Sequence, residues 1–413
     1  MSRIILKNAN LLDGDSAAKP GTNLVIDGER IASVGSAPVA AKPDDRVIEL
    51  AGRSVMPGIV SGHFHASYNN ITIQPEPLGV ERPENYLALV AAKNLKLALE
   101  CGITSVISSG ANAGTVDADV WLAIQEGLIP GPRMMPASRG LDAVGGYTDT
   151  EKWWWNLGNK GAQLLCSGPA EFERAVRSEI KRGARMIKLF LSGGHAVPEY
   201  EGATSLSKEE LATVIRTAHA RHAKVRAHCA WKNVMLEAVA AGIDLIDHGD
   251  QMDDECMDAM NERGVFWVPS AFFTAQMIAP GAALSMATPE QMAPLRSEFD
   301  NVIRRVQQAR TNGMRVVLGD DYGIIVLPHG RYMEELEFYV KQVGIPALDV
   351  IRWSTKNGGE LLGGATKTGM LRAGYYADLL VIDGDPSSDI ALLQNKEKVR
   401  AIMKGGAFVK DAL

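Results

Sequence analysis

Residues 54–65 read SVMPGIVSGHFH, and this stretch decides how the rest of the chain is parsed. An apolar run ends in His63 and His65, one residue apart. In extended backbone the side chains at i and i+2 share a face, so both imidazoles reach one metal ion from a strand end. Alone, an H-x-H also describes two solvated loop histidines. Its weight comes from its company: similar strand ends carrying a Lys, two more His and an Asp recur downstream in a fixed order.

Eight short apolar runs read as parallel strands: 55–62, 103–109, 133–138, 186–192, 225–229, 244–248, 265–270 and 315–320. Helical segments separate most of them, among them 84–101, 169–183, 207–222, 231–241 and 288–311. Gly102, Gly183, Gly242 and Gly313 stand where helices stop, and Ser207 with Glu210 makes a capping box. Repeating βα units imply a parallel sheet, and eight of them predict a closed (β/α)8 TIM barrel. Short strands near the start (3–12, 23–34 and 46–55, with an Asp27-Gly28 hairpin signal) match the style of 378–383 and 398–409. The expected organisation is a small β-sandwich domain built from both chain termini, residues 1–56 plus 366–413, with the barrel inserted at 57–365.

The 413 residues are 46% hydrophobic and 22% charged, ordinary for a folded chain. A net charge of −6 and a pI near 5.8 argue against nucleic-acid or anionic-membrane partners. Four scattered cysteines without C-x-x-C spacing suit a reducing compartment. The N-terminus reads as a strand rather than a signal peptide, and no apolar run has bilayer length. These features together predict a cytoplasmic protein.

At the C-terminal ends of barrel strands, where such folds gather catalytic groups, the titratable residues are few. The first strand ends in His63 and His65, and the fourth carries Lys188. The fifth gives His228, the sixth His248, and the eighth Asp320 and Asp321. A lone buried histidine often only bonds a backbone carbonyl. Four histidines, a lysine and an aspartate at five strand ends are harder to ascribe to packing. A buried lysine among Ile, Leu and Phe is costly unless paired or chemically changed.

In these motifs the chain resembles the amidohydrolase superfamily, in particular its imidazolonepropionase- and prolidase-like members. MPGIVSGHFH is similar to the superfamily's PG-(I/L)-(I/V)-(D/N)-x-H-x-H, and KLFLSGG, LIDHG, GDDYG, LPHG and the closing RAGYYADLLVID extend the likeness along the chain. The resemblance implies two divalent metal ions, usually zinc. His63, His65 and Asp321 would hold one ion, and His228 and His248 the other, with an N6-carboxylated Lys188 bridging them. A metal-bridging hydroxide would then attack an amide-type C–N bond, with Asp321 passing the proton to the leaving amine. It further implies a small-molecule substrate and a homo-oligomer.

Departures from the pattern fall on the surroundings. Gly62 precedes H-x-H where Asp or Asn is usual, and Asp320 competes with Asp321 for the metal role. Ala230 replaces a second histidine after the fifth strand, and Tyr147 stands in a Gly-Gly-His-Gly-Asp-like segment. A long loop after the third strand, about thirty residues, carries Trp154 and Trp155. These are expected to cover an apolar or aromatic substrate, or else to pack the loop down. His195, Tyr147 and His329 are expected to orient a substrate carbonyl or carboxylate; the glycines before His195 allow close backbone approach. Candidate substrates are a peptide or N-acyl amino acid, and a xenobiotic amide or carbamate. The alternatives are a cyclic amide hydrolase, a deaminase and a non-catalytic scaffold.

Overall fold

Short apolar runs flanked by amphipathic helices leave a strand no solvated face, and such strands pair in parallel. The structure, a computed structural model, describes residues 3–72, 78–155, 160–195, 202–279, 289–363 and 367–413, with backbone only at 289–293. Seven parallel strands form one sheet: Gln163–Cys166, Ala137–Ala143, Met186–Phe190, Lys224–Cys229, Leu245–His248, Phe266–Val268 and Arg315–Val316, in that order. Ile59–Phe64, Ile103–Ser108 and Arg133–Met135 form a second parallel sheet. The protein is thus an α/β fold on parallel strands. The helices lie as expected, at Glu84–Glu100, Pro169–Lys181, Lys208–His219, Lys232–Ala241 and Pro289–Asn312. The Ser207–Glu210 capping box is present.

The third expected strand is divided at Pro136. Proline has no N–H to give a ladder, and its carbonyl accepts from Arg185 N at 2.8 Å and Met186 N at 3.2 Å. The first half therefore pairs with the second strand and the other half with the fourth. That second half runs on to Ala143, and Gln163–Cys166 returns beside it in parallel. The loop carrying the tryptophans is therefore shorter than the sequence suggested.

The first and last strands touch through glycines. Gly62 N donates to Leu318 O at 2.7 Å, and a Cβ on Gly62 would stand 2.4 Å from Val317 Cγ1. Gly319, at φ +149°, would place a Cβ 2.3 Å from His63 N. Only residues without a side chain permit this approach.

Strands from both termini join one further eight-stranded sheet. Ser54–Pro57 lies between Ile4–Leu11 and Leu379–Ile382, and the Asp27-Gly28 turn closes the hairpin Lys19–Asp27/Arg30–Gly35. Strand alternation divides its side chains between two cores. Val55, Leu379, Val381, Ala401 and Met403 pack with Leu6 and Leu24. Met56, Leu380, Ile382 and Ile402 join the large core of the α/β layers. Among the described residues, no helix is long and apolar enough to cross a membrane.

Candidate active site

Ladder register brings the polar side chains together. Lys188 lies opposite Arg226, His228 opposite Asp247, and Cys229 opposite His248. His63 and His65 alternate with buried Phe64 on the neighbouring first strand. Asp321 follows the eighth strand and completes the group. His63 Nε2 is 2.9 Å and His65 Nε2 3.3 Å from Asp321 Oδ1, and the two Nε2 atoms are 3.3 Å apart. Asp320 turns away from the histidines: its oxygens accept from Asp321 N at 2.8 Å and Phe273 N at 3.0 Å. Burial, with Glu335 and Asp321 close by, pushes the Asp320 carboxyl well above the usual range. Asp321 is held well below it, because His63, His65 and His248 outweigh the effect of burial.

Three of the clustered imidazoles, His65, His228 and His248, are pushed toward the neutral form. Burial lowers His65 to about 4 and His228 to about 3, and holds His248 well below its ordinary value. Neutral rings offer lone pairs rather than charge, so this donor set suits a divalent cation. Ligand atoms of His63, His65 and Asp321 fall within 4.8 Å of one another, as do those of His195, His248 and Asp321. Among the described residues, the Nδ1 of His248 and the Nε2 of His195 have no hydrogen-bond partner although both residues are buried. Such orphaned nitrogens are what a cation site leaves behind when only protein atoms are counted.

Beneath this group lies an ionic network that the sequence motifs do not reveal. Arg226 is fully buried. Its Nε donates to Asp247 Oδ2 at 3.0 Å, Nη2 contacts Asp247 Oδ1, and Nη1 donates to Gly62 O and Ser108 O, each at 3.0 Å. Asp247 also accepts from Lys188 Nζ at 2.7 Å and lies 3.2 Å from His63 Nδ1. Burial would raise the Asp247 carboxyl, but Arg226 and Lys188 hold it well below the usual range. Burial lowers the Lys188 amine against the opposing pull of Asp247. The signal for this network was a charge inside each of the apolar strands VRAHC and LIDH. Buried charges require partners, but which strand supplies the partner is a matter of register.

In the superfamily pattern the Asp/Asn position falls on Ser61, not Gly62, and Ser61 Oγ donates to His63 O at 3.0 Å. Gly62 is needed for the close approach to Val317.

The histidine cluster opens into a cavity of about 520 Å³. Leu78, Leu87, Val90, Phe190 and Phe273 line it with Tyr68, Tyr86, Tyr147, His195 and Arg82. Tyr68 stacks on His65, with ring centroids 4.0 Å apart. Tyr147 donates its hydroxyl to Ala203 O at 2.8 Å. His195 Nδ1 lies 3.0 Å from Asp250 Oδ1; burial would lower its pKa, yet Asp250 raises it to about 9. Trp154 and Trp155 do not line the cavity; Trp154 is 63% exposed, and Lys152 Nζ sits 5.0 Å from the Trp155 ring centroid. His329 also lies off the cavity, with Nδ1 3.0 Å from the Tyr332 hydroxyl and its ring against Phe64.

Parallel strands delivering four histidines, a lysine and an aspartate to one cavity agree with what comparison finds. The chain matches the Amidohydrolase family over residues 54–409 and belongs to it. It is an enzyme, a hydrolase acting on carbon–nitrogen bonds. It is 28% identical to ochratoxinase of Aspergillus niger over 97% of this chain and 85% of that protein. A prolidase structure complexed with N-methylphosphonate-L-proline superposes with a TM-score of 0.87 at 27% identity, covering 99% of this chain and all of that one. A Xaa-Pro dipeptidase with methionine bound in its active site gives 0.85 at 25% identity, again over 99% of this chain and all of the other.

Proposed function

We propose that this protein is a divalent-metal-dependent hydrolase of small amides, with a dipeptide or N-acyl amino acid as its substrate class. The observation that carries the reading is the convergence of buried His63 and His65 with Asp321 on one point of the cavity, within ligand distance of one another. The prolidase and dipeptidase likenesses support the bond type, and the ochratoxinase likeness supports an amide of a larger molecule. Zinc is the proposed metal, since imidazole and carboxylate donors suit it.

His63, His65 and Asp321 hold one ion in this reading, and His228 and His248 hold the other. Lys188, whose amine burial shifts toward the uncharged form, would be the residue that is carboxylated to serve as a further oxygen donor. Bound divalent ions supply an acidified water and a polarised substrate carbonyl. The chain does the rest. Asp321 takes a proton on its carboxylate and returns it to the leaving amine. Tyr147 and His195 orient the acyl side, while Leu78, Leu87, Val90 and Phe273 exclude water around an apolar side chain. Arg82, at the cavity wall, faces the carboxylate of an amino-acid leaving group.

The reading takes eight strands of the two parallel sheets as one barrel, the divided third strand counted once and Gln163–Cys166 lying beside it, joined at Gly62–Leu318 and across Pro136. Residues 57–365 are proposed as that barrel. Residues 1–56 and 366–413 are proposed as the companion domain, its sheet folded into a sandwich around Leu6, Leu24 and Val381. The enzyme is proposed to work in the cytoplasm as a homo-oligomer. The test is a panel of dipeptides, N-acyl amino acids, lactams and aryl amides against zinc-loaded and chelated protein. Hydrolysis of apolar N-acyl amino acids or dipeptides, lost on chelation and restored by zinc, is expected. Turnover that survives chelation, or none on any amide, defeats the reading.

A further inference from the structure

His195 is held in the manner of a metal ligand. It is 5% exposed, its Nδ1 lies 3.0 Å from Asp250 Oδ1, and its Nε2 has no hydrogen-bond partner among the described residues. With Nδ1–H given to the carboxylate, Nε2 is the ring nitrogen left to a cation, which would take the place of its proton. A carboxylate behind the ring is the usual arrangement for a metal-bound histidine, fixing its tautomer and raising its basicity. His63 also has an aspartate near its Nδ1, Asp247 at 3.2 Å, but there Arg226 Nη2 stands closer, at 3.0 Å.

The neighbours of His195 agree. Its ring stacks on His248 with centroids 3.8 Å apart, and both residues reach Asp321 within the 4.8 Å ligand spacing. His228, by contrast, has Nε2 at 3.1 Å from Gly194 O and engaged there. His195 and His248 also share left-handed backbone, φ 49° and 72°. Non-glycine residues keep such a conformation where the surroundings over-determine it, often at functional sites.

We propose that His195, oriented by Asp250, is a ligand of the second divalent ion, beside His248 and Asp321. The inference rests on the metal-dependent reading above, changes the donor set of its second site and takes His195 out of the substrate-orienting role given to it there. Asp250 acts through His195 and is a positioning residue.

The test compares wild type, His195→Ala, His195→Gln, Asp250→Asn and His65→Ala, each stripped and reloaded with Zn²⁺ or Co²⁺. The readouts are metal per chain by mass spectrometry, affinity by chelator competition, Co²⁺ visible absorption, and melting of metal-free and loaded protein. Both His195 variants are expected to bind the weaker ion at least about 100-fold less tightly, and Asp250→Asn about 10–100-fold less. Their Co²⁺ bands should shift, while metal-free His195→Gln melts with metal-free wild type, which separates ligand loss from misfolding. The inference is overturned if His195→Gln and Asp250→Asn keep wild-type stoichiometry, affinity and Co²⁺ spectrum. If that happens while His65→Ala loses an ion, the metal-dependent reading stands and only the role of His195 falls. Wild type that binds no metal overturns both.

Discussion

His63 and His195 approach the same carboxylate, Asp321, and each has an aspartate behind its Nδ1, yet the two aspartates are anchored differently. Asp247, behind His63, is clamped by Arg226 and Lys188 so that both of its oxygens are engaged. Asp250, behind His195, has one oxygen on the ring, and among the described residues its Oδ2 has no partner. A saturated network in low dielectric fixes geometry. A half-open one keeps capacity for something not made of protein. The His63 side is the rigid floor of the site, and the His195 side is its adaptable wall.

The contrast between floor and wall breaks most sharply where both sides meet. Asp321→Asn should lower kcat by about 10³-fold or more while retaining most bound metal, because the amide keeps a ligand oxygen but takes no proton. Metal analysis beside steady-state kinetics checks it, and wild-type turnover would remove Asp321 from proton transfer. Next in size is the floor itself. Arg226→Met leaves Asp247 buried without its main cation, and breaking such a pair costs about 3–5 kcal/mol. Chemical denaturation should show that loss in metal-free protein, whereas Asp250→Asn on the wall should leave metal-free stability within about 1 kcal/mol of wild type.

Gly62→Ala should destabilise by about 1–3 kcal/mol, since its Cβ would meet Val317 and displace the strand that carries His63. Unfolding curves would show it, and an unchanged midpoint would mean that the eighth strand yields easily. Smallest of all is Trp154→Ala. The ring lies off the cavity and largely in solvent, so kcat/KM on a dipeptide should change less than about twofold. A larger loss would restore the covering role suggested by the sequence.

Much of this site was legible because its chemistry is written in residue type and position. Histidine, lysine and aspartate at the ends of apolar runs are conspicuous, and the glycines between helices marked the repeating units. Arg226, Asp247 and Asp250 escaped because their meaning depends on cross-strand register, which pairs residues far apart in sequence. His195 was noticed as a substrate contact, and the ligand role proposed for it was not legible. Nothing in GGHAVP announces that Asp250, in a different strand-end loop, would stand behind its ring. The divided third strand was hidden as well. Pro136 signals a lost donor, and only tertiary pairing shows which neighbour each half chooses.

The strand Ser54–Pro57 is shared between neighbours from opposite ends of the chain. During synthesis it can pair with Ile4–Leu11 at once, but its other edge waits for Leu379–Ile382 to leave the ribosome. Through that interval an apolar edge stands open, the kind of surface that recruits stray strands. Nascent chains halted before residue 379 are therefore the ones that should cling to chaperones or to each other, and release should coincide with the arrival of the last strands. The terminal sheet works as a clasp that only the finished chain can fasten.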